Sequence, residues 1–327
     1  MTNISQNNEL KDWIKKKFIT YIKWNDLVGN SPVGAGHFGV VYKTHWNSMN
    51  KDVVRKTPFL ENNDAIQHEI QILAKVQASD NIIRFLGITQ EPKSNIYSIV
   101  MEYADEGDLR TYLKINFQNL EWDKKLQLAF NIANGLNCLH WYHILHRDLH
   151  SKNVVIHKGI AKITDFGNSK SMDSQTSVHN NVFGILPYLA PELLEPDLQR
   201  LPYSVKTDIY SLGVLFWEIS SGNPPLMNFT IGPTLAIAIM NGKREEVIPN
   251  TPYDYHELYT FCWDQNQDKR PMIQHVYSVL ENMLEKLHKS VEKDSEDIKV
   301  INTIHLTKEA SENQNCSDTT LVNLEVL

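Results

Sequence analysis

The hydrophobic period of this chain changes once, near Gly107, and that change limits the folds open to it. From Leu27 to about Tyr103 the pattern is strand-like, with β-branched runs at Val40–Tyr42, Asp52–Val54, Ile82–Ile88 and Ile96–Met101. One helix interrupts them: Ile66, Ile70, Leu73 and Val76 recur at helical spacing behind Asn62, Asn63 and Asp64 as candidate caps. Beyond Gly107 the period is that of helices. Leu126, Phe130, Ala133, Leu136 and Leu139 line one, and Tyr210–Ile219, Tyr255–Trp263 and Ile273–Leu287 suggest three more. The order predicts an α+β chain of two lobes, a small antiparallel sheet lobe with one main helix and a larger, mostly helical lobe. A length of 327 residues allows this, since single cores stop growing near ~250 to 300 residues.

Composition excludes classes more than it names one. Hydrophobic residues at 42% and charged residues at 22% are ordinary globular values, which leaves no need for a fibrous or wholly disordered chain. The formal net charge of −7 and the lack of a basic face argue against nucleic acid as a partner. Cys138, Cys262 and Cys316 are odd in number and far apart, which suggests neither a disulfide framework nor a zinc site and fits a reducing compartment. The longest apolar run, Ile209–Ile219, is broken by Ser211, Gly213 and Glu218 and is too short to cross a bilayer, so it reads as a buried helix. Met1–Leu10 is polar, Thr2 stands where a myristoylation glycine would be, and the chain ends without a prenylation cysteine. Cytoplasm, or the nucleus, is the expected location.

The ends differ from the middle. Between Lys11 and Trp24 bulky apolar residues alternate with Lys15, Lys16 and Lys17, which suits either a basic amphipathic helix on a membrane or, as we expect, a segment packed on the domain that follows. Residues 290–327 are polar, acidic and poor in aromatics, and read as a disordered tail dispensable for the domain. The expected organisation is therefore an extension over 1–23, a domain over 24–289 with lobes meeting near 104/105, and the tail.

Gly34-Ala35-Gly36-His37-Phe38-Gly39 is a GxGxxG string, which alone suits a Rossmann dinucleotide loop, a phosphate-covering flap or a plain hairpin. A Rossmann loop opens a helix, whereas Val40, Val41 and Tyr42 continue as a strand. On the next strand Val53-Val54-Arg55-Lys56 points Lys56 to the side of Val54, although a slip of one residue would turn Arg55 inward instead. Glu69, beside the apolar stripe of the helix, is placed to pair with Lys56. Further on come His146-Arg147-Asp148-Leu149-His150-Ser151-Lys152-Asn153, then Asp165-Phe166-Gly167, then Ala190-Pro191-Glu192.

With these strings in this order the chain resembles the eukaryotic protein kinase superfamily from about Trp24 to Leu287. The resemblance implies ATP and Mg²⁺ as cofactors and protein hydroxyls as acceptors. It assigns Asp148 to orient the hydroxyl and take its proton, Lys56 to anchor the α and β phosphates with Glu69 behind it, and Asn153 and Asp165 to hold the metal. Gly34 to Gly39 would cover the nucleotide, with Val41, Val54 and Val155 as walls around adenine. Met101 falls at the gatekeeper position, so Glu102 and Ala104 would offer backbone groups to adenine, and Asp108 would meet the ribose. Leu73, His146 and Phe166 would align the lobes on Asp208, and Glu192 with Arg270 would form a buried ion pair. A scaffold lacking catalysis has typically lost one of the catalytic set, which is complete here.

Within the superfamily the Cys262-Trp263 to Arg270-Pro271 spacing and Gly184-Ile185-Leu186-Pro187-Tyr188 resemble the tyrosine-kinase-like group, largely specific for serine and threonine. Two departures bear on the acceptor: His150 stands where such enzymes commonly carry lysine, and Ile185 where they carry threonine. Lys152 is the cation that would replace the lysine missing at 150. Between Asp165 and Glu192 the hydroxyls Ser174, Thr176 and Ser177 are candidate activating phosphosites for Arg147, modified by an upstream kinase or by another copy of the chain.

Overall fold

The computed structural model describes residues 10–36, 39–59, 63–92, 94, 96–172, 184–195, 202–287 and 289. His37, Phe38, Ser174, Thr176, Ser177 and the tail over 290–327 lie outside the described residues. Two compact units divide after Leu280, and every named element belongs to the first. In the second, 281–287 is helical.

The small lobe is a five-stranded antiparallel sheet in the order β1 (Leu27–Gly36), β2 (Gly39–Trp46), β3 (Lys51–Pro58), β5 (Tyr97–Glu102), β4 (Phe85–Gln90). Its one long helix, α1 (Asn63–Val76), buries Ile66, Ile70, Leu73 and Val76 as their spacing requires. β1 and β2 close a hairpin in which Gly36 faces Gly39. At Gly39 a Cβ would fall 2.2 Å from the Thr57 carbonyl oxygen, so only glycine lets the flap root so tightly on β3. The chain after Gly39 is strand and not helix, which removes the dinucleotide reading of the glycine string.

The strand expected over Ile82–Ile88 begins later, at Phe85. A register shift between Phe85 and Gly87 breaks the ladder, and the preceding residues serve the other lobe: Ile82 bridges Ile163 and the Ile83 N–H donates to the Ile163 carbonyl, 2.9 Å. Among the described residues the opening segment is α-helical over 10–15. From Thr20 it runs extended along β4, with Ile22 N–H donating to Ile88 O at 2.8 Å and Ile88 N–H to Thr20 O at 2.9 Å, and Ile19 and Ile22 are buried. The opening segment is thus a short helix followed by a strap that lays Ile22 on the sheet, while Phe18 and Tyr21 stay exposed.

In the large lobe α2 (Leu109–Asn116) starts on an Asp108 cap, and α3 (Trp122–Trp141) and α5 (Val205–Ser221) form the core. α5 is buried from Thr207 to Ser221, as a helix apolar on all sides must be. A Ser204 and Thr207 capping box opens it and Gly222, left-handed at φ 69°, closes it. The short α4 (Pro191–Leu194), then α6 (Pro233–Met240), α7 (Tyr253–Cys262) and a helix over 273–280 surround it. α2 and α6 have too few turns to stand out in the hydrophobic pattern. Two small ribbons, β6 (Ile144–Leu145) with β9 (Lys170–Ser171) and β7 (Val154–His157) with β8 (Ile160–Ile163), carry the loops that face the sheet lobe. Among the described residues no helix is long and apolar enough to cross a membrane.

Candidate active site

β3 and α1 bring Lys56 and Glu69 together. The Lys56 Nζ lies 2.7 and 2.9 Å from the two Glu69 oxygens and 2.8 Å from Asp165 Oδ1, with Lys56 and Glu69 buried. Burial alone would lower the lysine, but the carboxylates of Glu69 and Asp165 outweigh it and hold the ammonium well above its ordinary value. Burial would likewise raise the Asp165 carboxyl, and the Lys56 charge instead brings it below the usual carboxylate range. Arg55 is not the inward residue. It sits on the opposite face of β3, between the rings of Trp24 and Tyr42, and donates to Asn30 and Thr57.

Asp148 lies on the loop after β6, whose shape is set from beneath. The buried Asp208 accepts from the N–H groups of His146 (2.9 Å) and Arg147 (3.0 Å), which turns Arg147 to φ 69°. Burial would raise Asp208, but the His140 imidazole at 3.0 Å and these donors keep it below its ordinary value. Asp165 also has a positive φ, 64°, a conformation that non-glycine residues hold only under the constraint of their surroundings. Leu73 is buried, and the His146 and Phe166 rings meet edge to face at 5.5 Å.

Around Asp148 the structure adds contacts that motif spacing does not reveal. His150 Nε2 is 3.3 Å from Oδ1, and the Asn168 side-chain amide donates to Oδ2 at 3.1 Å. Burial would raise this carboxyl, and His150 is the foremost of the groups that instead bring it below its ordinary value. Asn153 donates its amide to the Asp148 carbonyl, 2.9 Å, which leaves Oδ1 as its acceptor end. Lys152 stands exposed on the turn over Ser151–Asn153, so the residue touching Asp148 is His150 and not Lys152. Asn168 was missed in the sequence because only its place directly after Asp165-Phe166-Gly167 marks it.

A cleft of about 270 Å³ separates this loop from the sheet. Val33, Val41 and Val54 line one side, Val155 and Thr164 the other, and Met101 the back. Gly34, Ala35, Lys56, Asn153 and Asp165 also reach it, as do Glu102, Ala104 and Asp108 at its edge. Gly36 and Gly39 face each other at the turn end of the hairpin. The edge residues hold the lobes as well as bordering the cleft. The Glu102 N–H donates to Arg84, and its carboxylate receives the Arg84 N–H and pairs with Lys162 at 2.9 Å. Asp108 caps α2 by accepting from Thr111 N–H at 3.0 Å. Ile83, Tyr103 and Gly107 complete the lining; like Val33 and Thr164 they were not expected as site residues from the sequence.

A glycine hairpin over a cleft, a lysine held by two carboxylates, and an aspartate on a loop braced from α5 define a protein kinase domain. Residues 27–280 match the family model for protein tyrosine and serine/threonine kinases, and the chain belongs to that family. It is 30% identical over 284 residues to the dual specificity protein kinase splA of Dictyostelium discoideum, covering 80% of this chain and 12% of that one. It is 28% identical over 271 residues to the serine/threonine-protein kinase CTR1 of Arabidopsis thaliana, covering 80% and 32%. A putative serine/threonine-protein kinase/receptor, R826 of Acanthamoeba polyphaga mimivirus, is 30% identical over 267 residues, covering 79% and 15%. The chain thus spans no more than about a third of the length of these relatives.

Proposed function

We propose that the chain is a Mg-ATP-dependent protein kinase that transfers the γ-phosphate to protein hydroxyls, serine and threonine before tyrosine. The observation that carries this is Lys56, which lines the cleft bonded to Glu69 and Asp165 and is so set for the phosphates of a nucleotide. In the reaction the acceptor oxygen bonds to the γ-phosphorus as the bond to the bridging oxygen of ADP breaks. Asp148 orients the hydroxyl and receives its proton. Lys152 supplies a cation near the γ-phosphate. The Asn153 Oδ1 and the Asp165 carboxylate are hard oxygen donors suited to Mg²⁺. When bound, that ion would neutralise charge building on the phosphate oxygens. Among the described residues no cluster of three His, Cys, Asp or Glu could hold an ion. Asn153 and Asp165 would therefore share theirs with phosphate oxygens.

Serine and threonine are favoured by the names of the relatives, against the departures at His150 and Ile185. Activation would place a phosphate on Ser174, Thr176 or Ser177 against Arg147, added by an upstream kinase or by a second copy. Support comes from β9, where Lys170 pairs with Leu145 two residues before Arg147, so a second cation stands on the strand beside that loop. Protein substrates, a cytoplasmic or nuclear location, and no role for nucleic acid or a membrane complete the reading.

The test is Asp148→Asn. It should lower kcat by about 10²- to 10⁴-fold while ATP affinity and melting temperature stay near wild type. A folded variant that keeps wild-type turnover would overturn the assignment.

A further inference from the structure

Two loops flank the carboxylate of Asp148. One is its own, after β6, and the other is the stretch 184–190 that leads into Pro191-Glu192. Asp148 Oδ1 is buried and receives no hydrogen bond among the described residues, His150 Nε2 being near it in distance only. Across from it stands Gly184, where φ is 119° and a Cβ would lie 3.4 Å from that oxygen and 2.8 Å from Leu189 Cδ2. Glycine at 184 thus keeps side-chain atoms away from Oδ1, and an acceptor hydroxyl would enter between these two loops.

The loops are fastened to each other by four side chains from four parts of the chain. Arg110 of α2 donates from Nε to Ser151 Oγ, 3.0 Å, and to Glu218 Oε1, 3.1 Å, and from Nη2 to the Tyr188 hydroxyl, 2.7 Å. That hydroxyl donates to Glu218 Oε2 and lies 3.2 Å from Ser151 Oγ. Ser151 belongs to the loop of Asp148, Tyr188 to the loop of Gly184, and Glu218 to α5. Ser151, Tyr188 and Glu218 are buried, and the Ser211 hydroxyl of α5 donates to the Tyr188 carbonyl at 2.8 Å. Burial raises the Glu218 carboxyl against the pull of Arg110, the cation paired with it. None of the four is among the described residues that line the cleft.

We infer that Arg110 and Glu218 are positioning residues that keep the two loops in register through Ser151 and Tyr188, and so govern the protein acceptor while leaving the nucleotide alone. The inference rests on the kinase reading, in which Asp148 takes the proton of the acceptor. A loop displaced at Tyr188 carries Gly184 with it, and the approach to Oδ1 is lost while Lys56, Asn153 and Asp165 keep their places.

The test separates positioning from stability, with dephosphorylated casein as the acceptor. Tyr188→Phe keeps the ring packed 6.0 Å from that of His150 and removes only the hydroxyl. Arg110→Met and Tyr188→Phe should each raise the KM for casein roughly tenfold, with the KM for ATP within about twofold of wild type. Arg110→Met also strands the Glu218 carboxyl and lowers the melting temperature. Arg110→Met with Glu218→Gln removes that charge, so the melting temperature should return while the KM for casein stays high, a split that a purely structural role would not give. Independently of activity, the Tyr188 and Leu189 amides, bonded to the Ile185 and Leu186 carbonyls, should exchange hydrogen faster in the double variant than in wild type. A wild-type KM for casein in both single variants, or one that recovers with stability in the double variant, would overturn the inference. If the wild type binds ATP yet transfers nothing, the kinase reading fails and exchange alone decides: faster exchange in the double variant sustains the tie between the two loops, and unchanged exchange ends it.

Discussion

Two buried ion clusters in this molecule look alike and are built for different ends. In the helical lobe Arg270 meets Glu192 with two parallel hydrogen bonds, 2.7 and 2.8 Å, and two further N–H groups donate to the carbonyls of Asp264 and Lys206. Charge is matched one to one and the guanidinium is sealed from solvent. At the cleft a single ammonium, Lys56, faces two carboxylates, Glu69 and Asp165, beside open space. The first cluster is complete and the second has one negative charge in excess, next to a cavity that a cation and phosphates can enter. A balanced, enclosed pair holds a fold together, and an unbalanced one at a cavity wall waits for a ligand.

The largest difference should appear when each cation is removed. Arg270→Met leaves Glu192 charged and stripped of its partner, and should cost about 3 to 5 kcal/mol in a denaturant melt. Arg270→Met with Glu192→Leu should regain much of that. Lys56→Met should instead show its main effect in turnover, a loss of about 10²- to 10³-fold, with a smaller stability change because Asp165 borders the cleft. Equal destabilisation by the two single changes would erase the distinction drawn between the clusters.

Asp208 sharpens the comparison through pH. Its carboxyl lies below the ordinary value in the folded chain, so its stabilisation is fully present above the unfolded value near 3.9 and is lost as pH falls from there through the folded value. Asp208→Asn should therefore be less stable at neutral pH and show a shallower fall in stability below about pH 4. An unchanged acid slope, measured by thermal melts across that window, would mean that Asp208 does not carry the loop. This is the smallest of the expected effects.

How far the sequence reached can be seen in these same residues. Lys56, Asp148, Asn153 and Asp165 were legible because the chemistry confines them to short strings whose order survives in one dimension. Glu192 and Arg270 were legible only through the resemblance, being 78 residues apart. The His150 and Asn168 contacts with Asp148 were not, because they depend on left-handed backbone at Arg147 and Asp165 that no residue type there announces. The strap at Thr20–Ile22 was legible only as part of a segment expected to pack on the domain, since apolar spacing alone does not separate a short helix from a following extended run. What turns it is β4, where Gly87 lets the backbone approach: a Cβ there would lie 2.4 Å from the Thr20 carbonyl oxygen. Likewise the resemblance gives Glu102 only a backbone group for adenine, and its pairing with Lys162 emerges only once the lobes meet.

Phosphosite mapping tests the central claim most directly. Wild type and Asp148→Asn are incubated with Mg-ATP and a mixed protein acceptor, and products are identified by mass spectrometry, with nucleotide binding measured on the same samples. The account predicts phosphoserine and phosphothreonine from the wild type alone and ATP binding by both. Nucleotide binding without any transfer by the wild type would contradict it and leave a scaffold, and phosphotyrosine as the sole product would contradict the assignment of the acceptor.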